Sequence, residues 1–516
     1  MKTIYYYQTF IGLDKAFKRI QKNDIDVINI SSIHFGKNSD KIPGIYLNDP
    51  VSVLDYASLY PSSIIEKNLS HETYVEDKEL IEEIGYDNLH KIEYENFLYQ
   101  GKGKGDTVEK VINEEEPIKT CYFIKSEFME KNNMGSKGII PSVLEHLLHA
   151  RSETKKRMKK EPDEFKKKVL DGLQLAYKVT ANSVYGQLGA TTSTIFKMNL
   201  AACTTSIGRT RIEDASNGVK KWAQEEGYEE PDVVYGDTDS VFVKFSRKDK
   251  EGKLLEGKEA LQHCIGCGEK AGEYITKKML FKPQVLEYEK TFWPFILISK
   301  KRYTGDKYEF DVNDCKRTSM GIVLKRRDNA PIVKYVFGNV IEKIMIDKNF
   351  ELAISWLKDT LSKIKNKEFE DRYFIITKSL RGYYKNPQQI AHKVLADRIA
   401  ERDPGNKPKS NDRIPYAYIQ VDDSPKITGY KKISKKVSNG NYKNGKPKYK
   451  TIKVDGDPKY KKVHILQGDR IEHIEYIQKH NLDIDYEFYI TNQIMNPVKQ
   501  VLDLKLDSKE TELIFK

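Results

Sequence analysis

Two carboxylates stand together at a point where two apolar segments meet. Residues 235–240 read YGDTDS and are flanked by the apolar residues 233–234 and 241–243. Gly, Asp and Ser between β-branched and aromatic residues predict two buried strands joined by a tight turn. Ionised Asp237 and Asp239 on such a turn repel each other and lose hydration, so the arrangement favours a bound divalent cation.

A third carboxylate lies far upstream at the end of another apolar segment. Residues 51–55 read VSVLD, which predicts a buried strand that ends at Asp55. Two strands that each deliver an Asp would form a carboxylate platform for two Mg²⁺ ions about 3.5–4 Å apart, the arrangement used for in-line phosphoryl displacement. Mg²⁺ suits such a platform because hard oxygen ligands and retained waters complete its octahedron.

Four segments, in order, resemble the motifs of family B DNA polymerases. They are 55–61 (DYASLYP, motif A), 178–186 (KVTANSVYG, motif B), 235–240 (motif C) and 300–303 (KKRY, the basic motif after motif C). Residues 321–328 are similar to the segment that leads into the thumb. The resemblance is dense from about residue 40 to about 335, and the composition looks most like that of polymerases from large DNA viruses.

The resemblance implies an α+β right-hand polymerase with an antiparallel-sheet palm, helical-hairpin fingers and a mixed thumb. The implied divisions are an unassigned segment 1–40, a first palm part 41–138 with motif A, fingers 139–192, a second palm part 193–335 with motif C, and a thumb 336–516 with a Lys-rich insertion near 423–463.

Helical periodicity supports the predicted fingers. After Asp163, a good N-cap, apolar residues recur at spacings of three and four and predict a packing face at positions 165, 169, 173, 176 and 180. Lys178, Asn182 and Tyr185 fall on the opposite face, where a ligand would lie.

A second helix is predicted just before this one. Pro141 can open it, and its stripe of leucines at 144, 147 and 148 continues into Arg151 and Lys155 at the same spacing. A turn at 161–163 would make the two helices antiparallel and would bring Arg151, Lys155 and Lys178 towards one triphosphate.

The resemblance further implies nucleotidyl transfer, in which a primer 3′-hydroxyl attacks the α-phosphate of a deoxynucleoside triphosphate during DNA replication. It makes Asp55 and Asp239 the ligands that bridge two Mg²⁺ ions, with the carbonyl of Tyr56 as a further ligand, Asp237 as a tuning or occasional ligand, and Lys178 as a catalytic cation. The implied nucleotide-binding residues are Ser58, Leu59, Tyr60, Arg151, Lys155, Lys178, Asn182 and Tyr185. The implied DNA-binding residues are Lys300, Lys301, Arg302, Tyr303, Lys325, Arg326 and Arg327.

Tyr60 separates this function from synthesis of RNA. By resemblance its ring lies under the sugar of the incoming nucleotide and excludes a 2′-hydroxyl. The alternative to an active polymerase is a catalytically weak or silent DNA-binding fragment of a split or truncated one, which need not retain Asp55, Lys178, Asp237 and Asp239 together.

The net charge of +12 fits a polyanionic partner, here primer-template DNA, although charge alone does not separate DNA from RNA or an anionic membrane. The Lys-rich stretch 431–462 lacks helical periodicity. It is interpreted either as a hairpin-like insertion that contacts phosphates or as a solvated loop.

Three further segments leave their roles open. Glu287 and Glu289 alternate on one strand face and would either support the site or form a salt bridge. Cys264 and Cys267 have metal-ligand spacing but no second pair, which favours a helix or turn over a zinc site. The tail 513–515 (LIF) would either dock a processivity factor or pack against the terminus.

The 54 residues before Asp55 are too few for the proofreading exonuclease of the family, so we expect none in this chain and a separate exonuclease-bearing chain as a candidate partner. The start lacks the apolar run of a signal peptide, and no segment has the length and apolarity to span a bilayer. An intracellular, soluble enzyme is expected, acting in the nucleus or at a cytoplasmic replication site if it is viral.

Overall fold

The structure, a computed structural model, describes residues 43–101, 108–421, 426–441, 446–461 and 465–515. The chain divides into two compact units, one up to Thr318 and one from Ser319 onward. The described residues combine helices with antiparallel strands, which confirms the predicted α+β class.

The first unit is built on long helices and a large sheet. Its strands are β1 (Gly44–Tyr46), β2 (Val51–Tyr56), β3 (Tyr74–Val75), β4 (Leu89–Glu95), β5 (Phe97–Gly101), β6 (Val108–Ile112), β7 (Ile118–Ile124), β8 (Asp232–Asp237), β9 (Ser240–Lys244), β10 (Leu286–Ser299), β11 (Arg302–Tyr308) and β12 (Cys315–Met320), the last of which ends just past the division. Its helices are α1 (Leu59–Glu66), α2 (Lys78–Ile84), α3 (Ser126–Lys131), α4 (Ile139–Lys160), α5 (Glu164–Gly189), α6 (Met198–Glu226) and α7 (Gly257–Lys278).

A seven-stranded antiparallel sheet positions the predicted carboxylates. The strand order is β12-β11-β10-β2-β9-β8, and β1 pairs with the far end of β10. Thus β2, which ends after Asp55, lies directly beside β9, the second strand of the predicted hairpin. The hairpin β8–β9 is observed where the sequence predicts it.

Both faces of the central strands are covered, and β2 is accordingly buried along almost its whole length. Leu54 and Val241 pack on one face in a cluster with residues of α6 and α7. Val53 and Phe242 pack on the other face among aromatic residues of β10 and β11. Because side chains alternate along a strand, Asp55 shares the face of Val53.

Helices α4 and α5 form the predicted pair, separated by residues 161–163, with the Asp163 side chain accepting hydrogen bonds from the first turn of α5. The predicted packing face of α5 is wrong. Phe165 is 77% exposed and Val169 is 56% exposed, whereas the helix buries Leu170, Ala181, Val184 and Leu188. The reason is that mainly the C-terminal half of α5 enters a core, which it shares with α1, α4 and α6.

The second unit combines helices with a small sheet. Its helices are α8 (Pro331–Met345), α9 (Phe350–Lys365), α10 (Ala391–Arg402), α11 (Ile474–His480), α12 (Tyr486–Phe488), α13 (Met495–Leu502) and α14 (Ser508–Ile514), with a π-helical turn at Tyr489–Ile494. Its strands are β13 (Ile376–Ser379), β14 (Arg413–Tyr418), β15 (Lys426–Asn441), β16 (Pro447–Lys461) and β17 (Ile471–His473).

Strand β14 is central in the sheet β13-β14-β17, and β15 and β16 form a separate two-stranded sheet inserted between β14 and β17 in the chain. The Lys-rich insertion is therefore a hairpin, one of its two predicted forms. The predicted division at 335/336 falls inside α8, whose residues Val333, Val336 and Phe337 are all buried, so the helix cannot be split there.

Among the described residues, no helix is both long enough and apolar enough to cross a membrane.

Candidate active site

Asp55 and Asp239 meet because β2 pairs with β9 in register. Asp55 lies opposite Ser240, and the backbone N–H of Tyr56 donates a hydrogen bond to the carbonyl of Asp239 at 2.8 Å. Thr238 holds the turn with a left-handed φ of 55°, and the N–H of Asp239 donates to the carbonyl of Asp237 at 2.6 Å. The two acidic residues, far apart along the chain, are thus held at neighbouring strand ends.

The environment disfavours two ionised carboxylates. Burial, followed by the charges of Asp239 and Glu289, raises the pKa of Asp55 to about 8, and Lys290 and Lys178 oppose the rise. Burial also raises the pKa of Asp239, and Asp237 adds to this effect. Such a pair of hard oxygen donors, short of positive charge, matches the requirements of a divalent cation.

Asp237 has a different neighbour. The ammonium group of Lys301 donates to the Asp237 carboxylate at 2.5 Å and to the Thr238 hydroxyl at 3.0 Å. The described residues contain no group of three or more His, Cys, Asp or Glu side chains arranged to hold a metal ion. Asp237 is therefore engaged by a cation, whereas Asp55 and Asp239 lie at neighbouring strand ends.

Three predicted phosphate-binding cations lie close to one another on α4 and α5. Burial and the charges of Arg151 and Lys178 lower the pKa of Lys155, whereas Glu287 opposes the shift. The Nε–H of Arg151 donates a hydrogen bond to the side-chain oxygen of Gln174 on α5 at 3.3 Å, which helps to hold the guanidinium group in place. Lys178 also lowers the pKa of Asp55, so its charge acts on both Lys155 and the carboxylate pair.

A small cavity of about 100 Å³ joins the motif A and motif C segments to α5. It is lined by residues 58–61 together with Asn182, Thr238 and Asp239. Ser58 has a left-handed φ of 58°, which turns the chain from the end of β2 into α1. The structure thus gathers Ser58, Leu59, Tyr60 and Asn182 next to the acidic turn.

The rings of Tyr60 and Tyr185 contact each other with centroids 4.5 Å apart and planes tilted by 44°. Burial raises the pKa of both hydroxyls, so both stay neutral at physiological pH. Gly208 of α6 makes room for Tyr60, since a Cβ at position 208 would lie 3.0 Å from Cε1 of the Tyr60 ring.

The basic segment 300–303 is divided between a surface and a core. Tyr303 is only 7% exposed and packs against Phe242, Phe292 and Phe295, which corrects its predicted role as a DNA contact. Its alternation with Arg302 on β11 turns the ring inward. Lys325, Arg326 and Arg327 belong to the second unit, where all three are exposed and Arg326 pairs with Asp328.

The open alternatives are resolved in part. Glu289 forms the predicted salt bridge, with Lys290 at 2.8 Å, and its charge also raises the pKa of Asp55 and Asp239. Cys264 and Cys267 lie within α7, the helical placement that the sequence favours. In the tail, Phe515 is buried, which favours terminal packing for that residue.

Sequence reasoning missed Lys290 and Gly208. No local pattern marks Lys290, because its influence on Asp55 depends on the pairing of β10 with β2. Gly208 could have been found from the sequence, because glycine inside a long helical pattern often indicates close packing.

Comparisons with known proteins agree on one family. The model for DNA polymerase family B matches residues 40–505. The DNA polymerase of Pyramimonas orientalis virus is 43% identical over 512 residues, covering 90% of this chain and 37% of that protein. The DNA polymerase of Acanthamoeba polyphaga mimivirus is 43% identical over 284 residues, covering 55% of this chain and 14% of that protein.

Cellular and archaeal proteins are also similar. The DNA polymerase delta catalytic subunit of Drosophila melanogaster is 36% identical over 377 residues, covering 72% of this chain and 30% of that protein. The solved family B DNA polymerase of Pyrobaculum calidifontis matches 90% of this chain and 46% of its own length with a TM-score of 0.52 at 21% identity, a likeness of fold. The chain thus spans less than two fifths of the length of these curated relatives.

Proposed function

The chain belongs to DNA polymerase family B, and from this premise we propose that it is the catalytic part of a template-directed DNA polymerase. It would add deoxynucleotides to the 3′-hydroxyl of a primer during DNA replication. The observation that carries the proposal is the meeting of Asp55 and Asp239 at adjacent strand ends, next to a cavity lined by motif A and motif B residues. Association with a processivity factor or an exonuclease-bearing chain stays a prediction.

Asp55 and Asp239, with the carbonyl of Tyr56, are the proposed ligands of two Mg²⁺ ions. Their donor set fits because burial and the charges of neighbouring carboxylates raise the pKa of both carboxyls, and a divalent cation would relieve that repulsion. When bound, the ions would favour ionisation of the primer hydroxyl and neutralise charge on the departing pyrophosphate.

The residues of the chain itself bind and orient the substrates. Arg151, Lys155 and Lys178 form a cationic surface for the triphosphate, since burial and the charges of Arg151 and Lys178 lower the pKa of Lys155. Asn182 lines the cavity and would orient phosphate oxygens. Lys301 holds Asp237 through an ion pair, so Asp237 would steady the acidic turn and ligate a metal only when that pair opens.

The tyrosine pair shapes the nucleotide pocket. Tyr60 lines the cavity beside Asp239 and is supported by Tyr185, so its ring has little freedom to move away from a bulkier sugar. This arrangement supports selection of deoxyribonucleotides by exclusion of a 2′-hydroxyl. It also supports DNA rather than RNA as the product.

Primer extension tests the proposal. Wild-type chain, Asp239→Asn and the control Asp347→Asn, an exposed carboxylate in the second unit, are compared with dNTPs and Mg²⁺ on a primer-template. We expect extension by wild type and the control and a loss of at least about 10³-fold in Asp239→Asn. Full activity in Asp239→Asn would refute the metal assignment, and DNA binding without extension by wild type would favour the silent DNA-binding alternative.

A further inference from the structure

The Lys-rich hairpin of the second unit is a long isolated ribbon. Among the strands that the structure describes, β15 and β16 pair only with each other, in a two-stranded antiparallel sheet. At about 3.3 Å per residue, fifteen residues of β16 span roughly 50 Å. A free two-stranded ribbon of this length lacks the packed face that normally stabilises a sheet, which points to a partner.

The register gives the ribbon two chemically different faces. Three cross-strand pairs define a polar face: Ser434 with Lys453, Lys436 with Thr451, and Ser438 with Tyr449. The alternate pairs define a mixed face: Ile433 with Val454, Lys435 with Ile452, and Val437 with Lys450. Every side chain of the polar face carries a hydrogen-bond donor, whereas four of the six on the mixed face are aliphatic.

The charge of this stretch has one sign. Residues 433–441 and 446–454 include lysines but no Asp or Glu. Lys435, Lys436, Lys450 and Lys453 are exposed, and no described carboxylate forms an ion pair with them. The polar face combines two lysines with four hydroxyl groups, a set of donors that complements a partner with regularly spaced anionic oxygens.

We propose that the polar face of the β15–β16 ribbon lies along the major groove of duplex DNA and contacts the phosphates that border the groove. The proposal rests on the proposed function in taking the primer-template duplex as the ligand. The major groove is about 12 Å wide and admits a two-stranded ribbon. Side chains on one face repeat at about 6.7 Å along a strand, close to the roughly 6.8 Å of two base-pair steps.

The chemistry of the polar face predicts contact without sequence preference. Lysine and hydroxyl groups donate to phosphate oxygens, which are the same in every sequence. The aliphatic residues of the mixed face gain no hydrogen bond from a phosphate, so that face turns away from the duplex. The ribbon therefore adds affinity for DNA and prolongs attachment to it.

Two matched double variants test the orientation. Lys436→Gln with Lys453→Gln removes two charges from the polar face, and Lys435→Gln with Lys450→Gln removes the same charge from the mixed face. Fluorescence anisotropy measures the affinity of the full chain for a 30-base-pair duplex, without nucleotide, over a range of salt concentrations. We expect the polar-face variant to bind about tenfold more weakly and to lose about 1.8 from the slope of log K against log salt concentration.

The mixed-face variant is expected to stay within about twofold of wild type in DNA affinity. Lys436→Arg with Lys453→Arg, which keeps both charges, should retain the wild-type salt slope. Equal effects of the two Gln pairs, or no effect of either, would overturn the proposal. The proposal would also be overturned if the Lys436→Gln, Lys453→Gln variant bound DNA like wild type but no longer bound phosphatidylserine vesicles, since that result would assign the ribbon to a membrane.

Failure of this proposal is distinguishable from failure of the polymerase function. The binding assay requires no catalysis, so an inactive chain still reports on the ribbon. Conversely, if the ribbon variants bind DNA like wild type, the ribbon proposal fails. Primer extension by wild type at saturating DNA would still support the polymerase function. The polar-face variant should also release DNA sooner, and therefore yield shorter products when a trap prevents rebinding.

Discussion

At the scale of single residues, the site is defined by charge that the fold does not neutralise. Asp55 and Asp239 are held together by backbone pairing, while Lys301 is occupied by Asp237. Lys178 and Lys290 lower the pKa of Asp55 but do not offset its burial. The carboxylates around Asp55 and Asp239 therefore repel one another when ionised, and a bound cation would relieve that repulsion.

The burial of Asp55, reinforced by repulsion from Asp239 and Glu289, predicts how stability depends on pH in the metal-free protein. The pKa of Asp55 rises from 3.8 to about 8 on folding, so the folded chain holds a proton that the unfolded chain releases. The free energy of unfolding should therefore fall as pH rises from about 4 to about 8. Urea unfolding in the presence of a chelator measures it, and Mg²⁺ added at pH 8 should restore stability.

Asp55→Asn provides the comparison for this effect. The variant has no carboxyl to deprotonate at position 55, so the decline between pH 5 and pH 8 should be smaller than in wild type. The exposed-site variant Asp347→Asn should retain the wild-type decline. If Asp55→Asn and wild type share one pH profile, the buried carboxylate is not its source.

The tyrosine pair predicts sugar selectivity. Tyr60→Ala should raise the incorporation of ribonucleotides relative to deoxyribonucleotides by about tenfold or more, because the ring that would meet a 2′-hydroxyl is gone. Tyr60→Phe keeps the ring and should retain selectivity. The ratio of kcat/KM for matched NTP and dNTP pairs measures the effect, and an unchanged ratio in Tyr60→Ala rejects the assignment.

At this scale the sequence predicted residues that lie in recognisable local patterns. Asp55 and Asp239 were found because each follows an apolar strand and lies within a motif. The ion pair between Lys301 and Asp237 was not predicted, since it requires β11 and the β8–β9 turn to approach in space. Tyr303 was misassigned because a motif spacing does not show which side chains turn inward.

At the scale of elements, the α4–α5 pair shows what periodicity can and cannot decide. The spacing of apolar residues predicted both helices, and Asp163 caps the second as expected. The same spacing selected the wrong packing face, because it does not show how much of a helix the rest of the protein covers. Apolar residues near the start of α5 stay exposed while its later turns are buried.

Two leucines of α5 test this assignment with identical chemistry. Leu188 is fully buried, and Leu188→Ala should lower the free energy of unfolding by about 2–5 kcal/mol. Leu173 lies on the face that the sequence wrongly predicted to pack, and it is 39% exposed. Leu173→Ala should change the free energy of unfolding by about 0.5 kcal/mol or less. Urea unfolding measures both, and equal losses would restore the face predicted from the sequence.

At the scale of the whole molecule, the net charge of +12 together with membership of DNA polymerase family B predicts DNA binding governed by phosphates. Affinity for duplex DNA should be independent of sequence and should fall by about 10³-fold or more between 50 mM and 200 mM salt, if six or more phosphates are contacted. Anisotropy titrations with two duplexes of unrelated sequence measure this. A shallow salt dependence, or a strong preference for one duplex, would contradict the prediction.

The pairing of β2 with β9 has a consequence for biosynthesis. Asp55 pairs with Ser240, which lies 185 positions later in the chain, so β2 and β9 cannot align until Ser240 has been synthesised. Closing so long a loop is entropically unfavourable until the intervening helices have compacted. A nascent chain therefore brings Asp55 and Asp239 together late, after most of the first unit has left the ribosome, and premature termination before β9 yields protein in which this pair does not form.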